Sequence, residues 1–180
     1  AKEYLAEAKK VHAGPLPAIK LVMRGVDTTA RQQGQFFEKN LEDIGLTIEP
    51  EYYDWPTYLE KMRNGTTELI GGSGWIADYP DVENMAQNFY GKTIPWPNSF
   101  RYHNPEVDEL IAKAALMTEG DQRTELYRKA ERIVIEDTPC VFLFHRVFYV
   151  LKQDWIGNFK GNAYKPEAIG YGLAKYYKVD

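Results

Sequence analysis

Apolar and polar positions alternate between two periods along the first half of the chain. Positions 1–10 (AKEYLAEAKK) put Leu5 and Ala8 on one side of a short helix, ended by Gly14 and two prolines. Positions 18–24 (AIKLVMR) form a strand bounded by turn signals. In positions 28–45, Phe37, Leu41 and Ile44 recur at i, i+4 and i+7, the stripe of an amphipathic helix stopped by Gly45. Positions 46–54 (LTIEPEYYD) are a second strand, so strand, helix and strand make a βαβ unit with parallel strands. A shorter helix at 56–64 closes on Gly65, and 67–73 (TELIGGS) reads as a third strand running into Gly74-Trp75.

The second half has a different texture. Positions 78–104 are irregular and rich in Pro, Asn and aromatic residues, with one short helix near 83–89. Asn104-Pro105 looks like an N-cap followed by a first-turn proline, starting a helix to 117 that turns Val107, Leu110 or Ile111, and Ala114 inward. A further helix over 121–137 is expected to bury Leu126, Ala130, Ile133 and Val134. After Pro139 the run VFLFHRVFYVL is too long for an ordinary strand, is interrupted by His145-Arg146, and suits a crossing between structural units. The tail from 154 is rich in glycine and aromatic residues, with little periodicity and no evident core of its own.

Length and charge narrow the function classes. The chain has 180 residues, enough at roughly 150 residues per domain for one globular unit with an appendage. Twenty-six acidic against 22 basic side chains leave a net charge of −4, and no block of Lys and Arg is available for phosphate backbones, which argues against nucleic acid. No apolar run approaches the roughly 20 residues of a membrane helix. Cys140 is the single cysteine, and its apolar neighbours Val141, Phe142 and Leu143 favour an inert core thiol. The N-terminus lacks a basic patch followed by an apolar stretch, and lacks Met, so the chain reads as a piece of something longer.

The densest constellation is Gly71-Gly72-Ser73-Gly74-Trp75-Ile76-Ala77-Asp78-Tyr79-Pro80-Asp81. Three glycines beside an indole let another backbone approach closely. Asp78 follows the carboxyl end of a parallel strand, where open α/β sheets bind ligands, and a carboxylate there suits an ammonium group. The residues alone equally allow Trp75 as a core side chain and Asp78 as a cap for the Tyr-Pro turn.

Four stretches, AKEYLAEA, GWIADYPD, YHNPEVDELIAKA and QRTELYRKAERIVIEDTP, lie in the order that the C-terminal part of one family shows. The chain resembles the peptide-binding family of ABC-transporter solute-binding proteins (family 5, the oligopeptide, dipeptide and nickel group) over nearly its whole length. The resemblance implies an α/β, periplasmic-binding-protein-like (type II) lobe, with a mixed central sheet and helices on both faces. It implies that residues 1–145 are the C-terminal lobe of a two-lobed protein, and that 146–180 are a crossover strand and tail returning to an N-terminal lobe absent here. Asp78 would anchor a ligand's α-ammonium, Trp75 would line the cleft, and backbone groups at Gly74 and Ile76 would pair with an extended ligand. Arg63 aligns with a position that is basic in some oligopeptide binders and would meet a carboxylate. His145 and Arg146 lie where the family chain passes the cleft. Each of these three reads equally well as a solvated surface group. The implied partners are a small-molecule or peptide ligand, the N-terminal lobe and a membrane permease. The implied location is extracytoplasmic, in the periplasm or on a cell-surface lipoprotein. No cofactor is implied.

The sequence departs from the family at two places. Val82 follows DYPD where many relatives have Pro, and Gly72 stands where some oligopeptide binders carry Arg, so one carboxylate clamp is missing. Three rival readings remain. An acid/base pair of Asp78 and Asp81 is opposed by i, i+3 carboxylates in a turn being ordinarily solvated, and no nucleophile elbow or phosphate-cradling glycine motif accompanies them. A protein-built metal site is opposed by the wide spacing of His12, His103 and His145, although a metal chelate as cargo remains open. The runner-up is a non-peptide cargo such as an oligosaccharide stacked on Trp55, Trp75 and Trp96. It would leave the Asp78 carboxylate without a cationic partner.

Overall fold

A computed structural model describes residues 1–12, 14–144, 147, 149, 151, 153–157 and 177–178. His145 and Arg146 lie outside the described residues. The chain divides into two compact units, Ala1–Gly74 and Trp75–Asp180.

The first unit runs α1 (Lys2–Val11), β1 (Ile19–Arg24), α2 (Thr28–Glu42), β2 (Ile48–Tyr53), α3 (Trp55–Asn64) and β3 (Leu69–Gly71). No residue of α1 is buried. Two aspartates start the next two helices: Asp27 accepts from the Ala30 N–H at 2.8 Å, and Asp54 from Thr57 at 3.2 Å. The described sheet has the order β2-β1-β3 and is parallel throughout, with Ile19 opposite Ile48 and Met23 opposite Gly71.

The chain steps from β1 to β2 in one direction and from β2 back across β1 in the other. Right-handed crossovers then put α2 and α3 on opposite faces. Burial follows that geometry. Leu21 and Met23 share a cluster with Ile48 and with Phe37 and Leu41 of α2. Val22, 2% exposed, points the other way by strand alternation, toward α3 with its buried Tyr58 and Met62. Three consecutive buried residues in β1 are what a strand covered on both sides requires.

Two expected boundaries move. The helix expected to reach position 45 stops at Glu42, and Gly45 takes φ +96 beyond it. The strand expected over 67–73 pairs only over Leu69–Gly71, because Gly72 at φ +71 turns the backbone out of the ladder.

The second unit contains α4 (Glu83–Ala86), continued by a 3-10 turn at Gln87–Phe89, another at Gly91–Thr93, then α5 (Pro105–Ala115) and α6 (Asp121–Asp137). Asn104 caps α5 by accepting from the Glu106 N–H at 3.0 Å, with Pro105 in the first turn. Val107, Ile111 and Ala114 of α5 form one core with Tyr127, Ala130 and Val134 of α6. Ile111, rather than Leu110, is the fully buried member of that pair. On α6, Tyr127 takes the place expected for Leu126, and Ile133 is half-buried beside it. A short antiparallel pair joins β4 (Ile156–Gly157) and β5 (Tyr177–Lys178).

The apolar run after Pro139 carries no strand over its described residues 141–144. Val141, Phe142, Leu143 and Phe144 are all exposed, as are Val147, Tyr149 and Leu151. The apolar setting expected for Cys140 therefore does not come from these neighbours. The thiol is nonetheless half-buried, and burial pushes its pKa up, which disfavours the thiolate.

Candidate functional site

Burial alternates along the segment that follows Gly74. Trp75 is half-buried and Ala77 is 5% exposed, whereas Ile76 and Asp78 face solvent. One side chain sets this pattern. Asn84, 1% exposed at the second position of α4, accepts at Oδ1 from the Trp75 indole N–H at 2.8 Å and from the Asp78 backbone N–H at 3.1 Å. A single buried acceptor thus fixes both the indole and the peptide that presents the Asp78 side chain. Trp96 adds a wall, its ring 5.8 Å from Trp75 at a tilt of 57°. The polar edge of Trp75 is committed inward, so what the indole offers outward is apolar surface.

The far end of the segment is held by charge. Asp81 accepts from the Glu83 N–H at 2.8 Å and pairs with the Arg123 guanidinium of α6 at 2.8 Å. Arg123 holds the Asp81 carboxyl below its ordinary pKa, and the pair raises Arg123 in turn. Arg123 also lies over the Tyr127 ring at 5.0 Å and donates to the Ala114 carbonyl at 3.1 Å. Asp81 is therefore an anchor of the loop, its carboxylate committed to Arg123 and the Glu83 N–H. Tyr79 donates to Glu83, and its hydroxyl is raised by that carboxylate.

Gly74 is exposed, its φ is not in the left-handed region, and a Cβ there would meet nothing within 4 Å. Neither conformation nor packing demands a glycine, and the room beside its backbone is open. Arg63 stands exposed in the last turn of α3, in the first unit. Asn84 thus gathers Trp75, Ile76 and Asp78, Gly74 adjoins them in the chain, and Arg63 belongs to the other unit. Among the described residues no cluster of three or more His, Cys, Asp or Glu side chains is placed to hold a metal.

Sequence reasoning missed Asn84, which sat in a stretch without periodicity. Asn98 was missed for the same reason. It is fully buried, donating to the carbonyls of Tyr90 at 2.9 Å and Tyr102 at 2.8 Å. The Asp81–Arg123 pair did leave a signal, because its members lie in two of the four quoted stretches, GWIADYPD and QRTELYRKAERIVIEDTP.

Comparison with known proteins gives a family match over residues 1–96, to the model described as bacterial extracellular solute-binding proteins, family 5 Middle. The oligopeptide-binding protein OppA of Bacillus subtilis is 30% identical over 167 residues, covering 89% of this chain and 29% of that protein. The periplasmic oligopeptide-binding protein OppA of Escherichia coli is 29% identical over 164 residues, again 89% of this chain and 29% of the relative. The chain therefore spans less than a third of these relatives' length. Among solved structures, a periplasmic oligopeptide-binding protein of Borrelia burgdorferi aligns with a TM-score of 0.75 at 27% identity, covering 99% of this chain and 35% of that one. The fold is the α/β architecture of type II periplasmic binding proteins.

Proposed function

The chain belongs to the bacterial extracellular solute-binding proteins of family 5, and from that premise we propose that it is one lobe of a two-lobed receptor that captures peptides for import. In this reading residues 1–145 are the C-terminal lobe, and 146–180 form the crossover and tail that meet the N-terminal lobe. The lobes close on a ligand that touches both, and an ABC-transporter permease takes the cargo from the closed form. The setting is extracytoplasmic, as for the relatives whose names include periplasmic.

The observation that carries the reading is the double acceptor at Asn84. It holds Trp75 as a flat apolar wall and sets Asp78 and Ile76 on the solvent side, next to the open backbone at Gly74. An extended peptide can lay its backbone along Gly74 and Ile76 and bring its ammonium to Asp78, where a charge-assisted hydrogen bond supplies orientation. Arg63 is a further candidate for a ligand carboxylate, and His145 and Arg146 are candidates for further ligand contact. The ligand leaves chemically unchanged: Asp81 is tied to Arg123, and the loop contributes no activated nucleophile. The aromatic-platform alternative gains nothing here, since Trp75 packs against Trp96 and Trp55 lies beneath the Arg24 guanidinium.

The test is Asp78→Asn in the two-lobed receptor. Affinity for peptides with a free α-ammonium is expected to fall by about 1.5–3 kcal/mol, the range for hydrogen bonds to charged groups. N-acetylated peptides should bind parent and variant alike. Equal affinity of both proteins for the free-amine peptide would move the anchor elsewhere.

A further inference from the structure

Glycine follows asparagine at a single place in the chain, Asn64-Gly65, where α3 ends. That step supports a reaction that needs no enzyme. The backbone nitrogen after an asparagine can attack the asparagine's own side-chain carbonyl carbon and close a succinimide ring. A side chain on the following residue shields this nitrogen and restricts its backbone, and glycine has none.

Two further features separate Asn64 from the other described asparagines. It is exposed, as are Arg63, Gly65 and Thr66, so water and hydroxide reach this peptide. Its side-chain amide also enters no hydrogen bond among the described residues. The others are held: Asn40 by the Phe36 carbonyl, Asn84 by Trp75, Asn88 by the Met85 carbonyl and Asn104 by Asp137. Asn98, which the small Ser99 follows, is fully buried and tied at both its amide nitrogen and its oxygen.

One cap opposes the attack in the folded chain. Gly65 takes φ 66 and ψ 29 beyond the helix. Its N–H is shared between the carbonyls of Lys61 at 3.1 Å and Met62 at 3.3 Å, so the attacking nitrogen is occupied and directed back into α3. Both contacts are long, and beyond the buried Met62 no side chain of the last turn is buried. Releasing the nitrogen therefore takes only rotation at Asn64 and Gly65, which belongs to the low-energy end of local unfolding.

We propose that Asn64 is a site of spontaneous deamidation, gated by fraying of the last turn of α3. In the open turn the Gly65 nitrogen gives its proton to hydroxide and bonds to Asn64 Cγ. The bond from Cγ to the amide nitrogen breaks, and ammonia leaves. Water then adds to one of the two ring carbonyls and cuts its bond to the Gly65 nitrogen. Cleavage at Cγ leaves aspartate, whereas cleavage at the backbone carbonyl leaves isoaspartate, with an extra carbon in the main chain. Either product sets a carboxylate at the C-terminus of α3, where the carbonyl ends already carry negative partial charge. Isoaspartate also moves Gly65 out of register with the Lys61 carbonyl. The site depends on α3 alone and stands whether or not the chain captures peptides.

The 180-residue chain, incubated at mildly alkaline pH with and without urea, supplies the test. Mass spectrometry of its peptides measures aspartate and isoaspartate at each asparagine. Conversion is expected at Asn64 ahead of every other position, about tenfold slower in the folded chain than in urea. The same factor should appear in the hydrogen-exchange protection of the Gly65 amide, because one opening releases that nitrogen for both reactions. Asn64→Gln should abolish conversion at this position, since the longer side chain closes a less favourable ring. The site is overturned if another asparagine leads, if Asn64 stays intact in urea, or if it stays intact in the folded chain after the urea-treated chain has converted. Equal rates with and without urea, or a slowing unrelated to Gly65 protection, overturn the gate.

Discussion

Asn84→Ala probes the joint on which the proposed binding loop depends. The substitution deletes one acceptor and strands two donors, the Trp75 indole N–H at 2.8 Å and the Asp78 amide at 3.1 Å. Each intramolecular hydrogen bond contributes about 1 kcal/mol net. A buried donor left without a partner costs up to ~3 kcal/mol. That upper figure is not reached here, since Trp75 is half-buried and Asp78 exposed, so water reaches the released groups. The expected loss in the 180-residue chain is therefore about 2 kcal/mol. At about 2–4 °C per kcal/mol for a chain of this size, Tm should fall by about 4–8 °C.

Urea unfolding followed by tryptophan fluorescence gives the free energy, provided m stays constant. Trp75→Phe keeps a ring and removes the donor. A double-mutant cycle between the two substitutions should return a coupling of about 1 kcal/mol, with faster indole N–H exchange in Asn84→Ala. A loss below about 0.5 kcal/mol, or a coupling indistinguishable from zero, would mean that the loop is held by something other than Asn84.

Three more outcomes are expected. Arg123 depresses the Asp81 pKa, so the stability from this pair is present above the unfolded carboxyl value of about 4 and is lost as pH falls through the lower folded value. With Asp81 26% exposed the contribution is about 1 kcal/mol, and Arg123→Gln should flatten the acid limb of a stability–pH curve; superimposable acid limbs would refute it. Gly34→Ala sets a Cβ against the Tyr52 ring and hydroxyl, and overpacking of about 1–3 kcal/mol should exceed the helix-propensity gain of about 1 kcal/mol. A variant with unchanged or raised Tm would show that Tyr52 swings aside without strain. In the proposed two-lobed receptor this chain supplies about half of the ligand contact area, so the 180 residues alone should bind peptides weakly. Micromolar or tighter affinity by calorimetry would contradict that expectation.

Much of the fold follows from periodicity that a linear reading can see. The run Leu21-Val22-Met23, the i, i+4 spacing of Phe37 and Leu41, and the caps Asn104 and Gly65 locate strands and helices because each is a local rule of backbone geometry or amphipathic burial. The βαβ connection likewise makes β1 and β2 parallel. The quoted motifs also pointed to Trp75 and Asp78 as the residues to examine.

What lay beyond reach was set by long-range polar contacts and by which face of a half-apolar element finds a partner. Asn84 has no signature in its own stretch, since its importance comes from two donors six and nine residues away that meet at one oxygen. Tyr127 is the more deeply buried side chain, with Leu126 packed half-buried against the same core, and the tyrosine hydroxyl near Arg123 keeps its polar atom from being stranded. The apolar run after Pro139 suits a crossing between structural units, yet its described residues 141–144 are exposed, because burial requires a partner surface and composition does not supply one. The alternation of residues along the chain thus determined the elements and the family motifs. The pairing of distant groups, Asp81 with Arg123 and Asn84 with Trp75, was decided only by the folded chain, because a hydrogen bond or ion pair is selective over distance in space and blind to distance in sequence.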